Sequence, residues 1–316
     1  MKNKANFVSV LCILAIITIL TSPKVAVLGA TNGLMLWFNN IVPTLFPFLI
    51  IITLLNLVGG FFVFEKIFKH LSMLLHITTF HTSIIVTGFL CGYPMGALLA
   101  TNYYKDNKLS AKECEFLCLC SNFISPMFLS GYVLSMQSNF LQKIVLAISI
   151  YLPIIILFPI HKKLFNVKRT NALYNQTSTN YKSPIKEDII SLVDSSIMTS
   201  CSTILKIGGY IILCSILSEY ILYMPFKSNI IKAILLCIIE ITRGIKYTFS
   251  LSSINIVTKN TILASAICFS GICIILQSIS FFKRYNIPCY RYIISKICQA
   301  ILAGGIYILI NSLINA

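Results

Sequence analysis

Apolar runs of about 20 residues recur along the whole 316-residue chain, at about 6–22, 34–58, 114–136, 142–160, 200–224, 261–282 and 297–314. A run of that length crosses the hydrocarbon layer as a helix. In lipid, only structures that satisfy their own backbone hydrogen bonds are viable. Charged residues make up 11% of the chain, against roughly 25% in an ordinary soluble domain. The chain therefore reads as an all-α polytopic membrane protein, with the lipid bilayer as its first partner. Its net charge of +16 invites a nucleic-acid reading. The Lys and Arg residues lie in short loops, however, where they set orientation, so no nucleic-acid partner is expected.

Two further apolar segments are broken. Residues 72–104 carry CGYPMG at 91–96, and residues 229–258 carry IIEITRGIKY at 238–247. Proline lacks an N–H and clashes with the preceding turn, while glycine admits positive φ. Backbone groups freed at membrane depth need protein or a watery cavity around them. Gly92, Tyr93, Pro94 and Gly96 thus mark either a hairpin tip or a simple proline kink. In the second segment Glu240, Thr242, Arg243, Gly244 and Lys246 bring charge into an apolar setting, at about 3 kcal/mol per charge. They form a site, an i,i+3 pair that satisfies itself, or a wet loop outside the membrane.

The positive-inside rule bears on this choice. With Lys2 and Lys4 cytoplasmic and both broken segments turning back, Lys66, Lys69, Lys105, Lys108, Lys112, the linker and the Lys283–Lys296 cluster all fall inside. This arrangement predicts inverted-topology repeats, each with a broken or re-entrant helical hairpin. The chain divides into an N-terminal helix and loop (1–33), a first membrane repeat with an extra span (34–160), a basic linker with an amphipathic interfacial helix (161–199), a second repeat (200–282), and a basic loop with a last helix (283–316). Broken segments at matching positions of inverted repeats point to a transporter's binding site. The spans after each break add Asn122, Ser125 and Pro126, and then Ser270, Gly271 and Gln277. Asn122 and Gln277 offer amides to a solute. Ser270 and Gly271 serve either a site or close helix packing. Lys206 and Glu219 lie near helix ends and are expected to snorkel.

Other chemistry is weakly represented. The 12 cysteines are mostly embedded in apolar segments and read as packing residues. His70, His76 and His81 do not form HExxH, and no serine elbow or nucleotide-binding glycine motif occurs. The chain is read as a non-enzyme without cofactor or metal. The N-terminus, with a basic start and VLGA at 27–30, resembles a signal peptide but is taken as an uncleaved first helix.

Four motifs occur in order: GFLCGYPMGA at 88–97, LSAKECEFLCLCSNFISPMFLSG at 109–131, IIEITRG at 238–244 and FSGICIILQ at 269–277. Together they resemble the nucleoside-recognition (Gate) domain family, in its branch of YlbJ-type sporulation integral membrane proteins, over about residues 30–285. That family often has Ser before GYP and a second Gly in the last motif, where this chain has Cys91 and Ser270. The resemblance implies a multi-pass protein of a bacterial cell or forespore membrane that moves dipicolinic acid, a small dicarboxylate, during sporulation. Broken-helix N-termini with Arg243 and Lys246 agree with an anionic or polar solute. Glu240 would orient Arg243, titrate, or bind a coupling ion. A nucleoside or ion transporter, a non-transporting scaffold of spore assembly and a homo-oligomer remain open.

Overall fold

The computed structural model describes residues 2–167 and 188–315. The part of the basic linker between 168 and 187 lies outside the described residues. The described residues form helices and connecting turns, with no strand. Among the described residues, five helices are long and apolar enough to cross a membrane, and a sixth is added if a pair bent by 100° (Lys69–Leu75 with Thr79–Cys91) counts as one span. The protein is an all-helical polytopic membrane protein.

Helix α1 (Lys2–Thr21) leads into α2 (Pro23–Leu36), which continues through a π-helical turn (Trp37–Ile41) into α3 (Val42–Leu57). Pro43 cannot donate to the Asn39 carbonyl. The widened turn immediately before it absorbs that lost bond. Short helices α4 (Phe61–Ile67) and α5 (Lys69–Leu75) precede a first hairpin, α6 (Thr79–Cys91) and α7 (Met95–Lys105). Helix α8 (Ala111–Cys120) stops at Ser121, and residues 121–125 run without helical form before α9 (Pro126–Phe128) and its continuation to Met136. After α10 (Phe140–Leu164) comes α11 (Ile189–Tyr223), then a second hairpin of α12 (Asn229–Ile239) and α13 (Ile241–Ser250). Helices α14 (Ile256–Phe269) and α15 (Gly271–Phe282) form one span broken at Ser270, and α16 (Tyr290–Asn315) ends the fold.

Both hairpins fold back tightly. A Cβ on Gly88 would lie 3.1 Å from Gly96 Cα, and one on Gly244 would overlap the Cys237 backbone. Their arms of 10 to 13 residues are about 15–20 Å long, short of the ~30 Å hydrocarbon layer. The two parts of the chain thus present the same order: a long helix, a hairpin broken at its tip, and a helix broken along its length.

Residues 187–199, read from sequence as a separate interfacial helix, instead begin α11 from Ile189 onward. No Gly or Pro interrupts the chain between Ile189 and Gly208, so nothing stops the helix. Its 35 residues reach about 52 Å, well beyond the hydrocarbon thickness.

Lipid tails supply no hydrophobic drive between helices, so close packing of small residues takes over. Gly29 and Gly33, a GxxxG pair in α2, meet Ile216 and Ser215 of α11 so closely that a Cβ would sit 2.7 and 2.8 Å from them. Trp37 packs closely against Gly208, where a Cβ would lie 2.7 Å from its indole, and its Nε1–H donates to the Ile204 carbonyl at 3.0 Å.

Outside the spans, Ser110 and Glu113 form a capping box that starts α8. His81 Nε2 lies 3.4 Å from the Glu113 carboxylate. The hydrogen bond from His81, with those from Ser110, holds the Glu113 carboxyl down at about 2 from its ordinary 4.5. The stabilisation is thus complete above pH 4.5 and fades as pH falls toward 2. Melting temperature in detergent should decline over that window, and the decline should be shallower in Glu113→Gln. Equal slopes would refute the assignment.

Candidate functional site

The two hairpin tips and the 121–125 break converge on one cavity of about 320 Å³. Gly92, Tyr93 and Pro94 line it from the first tip, and Glu240 and Thr242 from the second. Ser125 with Phe128 and Tyr132 comes from the broken α8–α9 stretch, and Gln277 with Cys273 from α15. The fourth wall is the π-helical turn and the start of α3, with Asn39, Asn40 and Thr44. Gly92 has φ +80, a value that favours glycine. Ser125 caps the next helix by accepting the Phe128 N–H at 3.2 Å, with Pro126 at the first helical position. Tyr132 ties this helix to the second tip by donating to the Thr242 carbonyl at 3.0 Å.

Glu240 is buried and caps α13. Its carboxylate accepts the Thr242 N–H at 3.2 Å, the Arg243 N–H at 2.9 Å and the Thr242 hydroxyl. The carboxylate therefore occupies the partial positive end of this helix from within the chain. At the first tip the equivalent position is Pro94, and no side chain caps α7.

Several expected residues lie elsewhere. The Arg243 guanidinium does not line the cavity and does not pair with Glu240. It is held by Glu219 and by the Ser215 carbonyl at 3.1 Å, while Asn32 donates to Glu219 at 3.3 Å. Glu219 is buried at 4% exposure rather than snorkelling, because it is the counter-charge of Arg243. Gly96 and Gly244 are packing positions: a Cβ on Gly96 would overlap the Ser121 carbonyl, as one on Gly244 would overlap Cys237. Lys246 is exposed.

Asn122 turns away from the cavity into a polar network. Its side-chain amide N–H donates to Ser278 at 2.8 Å and to Tyr292, and its backbone carbonyl accepts Lys296 Nζ at 2.6 Å. Ser270, at φ +76, is fully buried, and its hydroxyl faces that of Tyr93 without reaching hydrogen-bond geometry.

Three features escaped the sequence reading. Asn39 and Asn40 were available as adjacent amides mid-way along an apolar run. Glu219 was singled out near a helix end and expected to snorkel, so its pairing with Arg243 went unseen. Lys296, grouped with the basic loop, is 1% exposed inside α16.

These features define a polytopic helical membrane protein with a largely apolar cavity, set with a few polar side chains, where broken helices meet. The chain is similar to the sporulation integral membrane protein YlbJ of Bacillus subtilis (strain 168), with 22% identity over 321 residues, spanning 91% of this chain and 78% of that protein. No family model matches the chain. No solved structure matches it.

Proposed function

We propose that the chain is a membrane transporter of a small polar or anionic solute, acting in sporulation. Its two repeats have opposite orientation and its N-terminus is cytoplasmic. The observation that carries this reading is the convergence of both hairpin tips and the 121–125 break on one cavity. Its volume lies at the lower end of the range for small-molecule sites. Broken backbone at membrane depth is tolerated where it lines such a space. The similarity to YlbJ supports the setting. Dipicolinic acid is the proposed solute: its two carboxylates suit the uncapped start of α7 beside Pro94.

A second reading, transport of a nucleoside or a cation, is favoured by one observation. Glu240 is the only carboxylate, and no Lys or Arg stands, among the described residues that line the cavity. Proteoliposomes given labelled dipicolinate and uridine in parallel separate the readings. Accumulation of dipicolinate alone supports the first and of uridine alone the second. Neither solute accumulating above empty vesicles would sink the dicarboxylate and nucleoside readings.

A further inference from the structure

Lys296 stands six residues into α16, inside a candidate span, and is 1% exposed. A buried ammonium ordinarily has a carboxylate beside it. Among the described residues none lies within ion-pair distance of Lys296. Its Nζ donates to the Asn122 carbonyl at 2.6 Å and reaches Gln299 Oε1 at 3.4 Å. The rings of Tyr93 and Tyr292 face it, each centroid 5.7 Å away. An ammonium has three N–H donors, so one is left to the aromatic rings. Cation–π contacts offset only part of the cost of burying a charge.

Tyr93 links this cation to the cavity: it is one of the cavity's lining residues, and its ring also lies against Lys296. At its tip the hydroxyl makes no hydrogen bond of good geometry and has only the Ser270 hydroxyl near it. Other cations at depth are engaged elsewhere: Arg243 by Glu219, and Lys206 over the Phe281 ring at 4.6 Å.

We propose that Lys296 is the counter-charge for a carboxylate of the solute, and that Tyr93 is the side chain that rotates to admit it. This inference rests on the anionic-solute reading and specifies where the charge is met. Desolvated, hydrogen-bonded cations of this kind bind carboxylates strongly. The charge that is missing from the cavity lining is thereby supplied from behind it.

The test uses full-length protein in nanodiscs, with dipicolinate and uridine as probes. Lys296→Met removes the charge but keeps the apolar stem, so the fold should persist and size-exclusion behaviour should match wild type. Dipicolinate affinity should then fall about tenfold to a hundredfold, with uridine binding unchanged. Tyr93→Ala removes the gate and should tighten dipicolinate binding about threefold, since no conformational cost is then subtracted. Should Lys296→Met misfold, the Tyr93→Ala result decides by itself. Unchanged dipicolinate affinity in a folded Lys296→Met, or unchanged or weaker binding in Tyr93→Ala, would overturn the role of Lys296 while leaving the anionic reading intact. Wild-type protein that ignores dipicolinate would instead remove the reading underneath.

Discussion

Arg243→Ala is expected to destabilise the protein by about 3–5 kcal/mol, because it strands the buried Glu219 carboxylate without its counter-charge. Glu219 would keep only the Asn32 amide at 3.3 Å. The Ser215 carbonyl, which accepts from the guanidinium, would also lose a donor. The clamp joins α2, α11 and α13, so its loss loosens the second hairpin from two long helices. Thermal melting and steady-state abundance should therefore fall together with flux. The double variant Glu219→Ala with Arg243→Ala, which removes both charges, should recover a large part of the loss. Normal abundance with abolished flux in Arg243→Ala would show instead that the guanidinium serves the solute.

The second large effect is expected at Gly96. Any side chain there collides with the Ser121 carbonyl, which belongs to the unwound stretch and lies against the backbone of the first hairpin. The obstruction is backbone rather than a flexible tip, so relief requires the hairpin to move off residues 121–125. Gly96→Ala should cost about 3 kcal/mol, the upper end for overpacking, and Gly96→Val more. Gly131→Ala is the control, since a Cβ there meets nothing within 4 Å although the residue borders the same cavity. Comparable melting temperatures for the Gly96 and Gly131 variants would contradict this packing.

What could be read from sequence follows from range of interaction. The CGYPMG break was legible because Pro94 and Gly92 act on their own backbone. The break at Glu240 has no proline or adjacent glycine, and it announced itself only through the oddity of charge in an apolar run. The partner of Arg243 was not legible. A local rule pairs it with Glu240 three residues back, whereas the structure brings Glu219 from another helix. Lys296 was misplaced for a related reason. Counted by proximity it joins Arg291 and the basic loop, but helical continuity from Tyr290 carries it inward. Asn39 and Asn40 sat within a run whose average hydropathy masked them, and their relevance came from Pro43 widening the turn beneath them.

Trp37 is the chain's sole tryptophan, and it sits in the π-helical turn between Leu36 and the asparagines that face the cavity. Its indole bridges to α11, which supplies Ile207 and Ile211 to the adjoining part of the cavity wall. Any sliding of these two helices relative to each other alters the environment of that one fluorophore. The protein thus carries a native optical gauge, and its emission under solute addition needs no label to read.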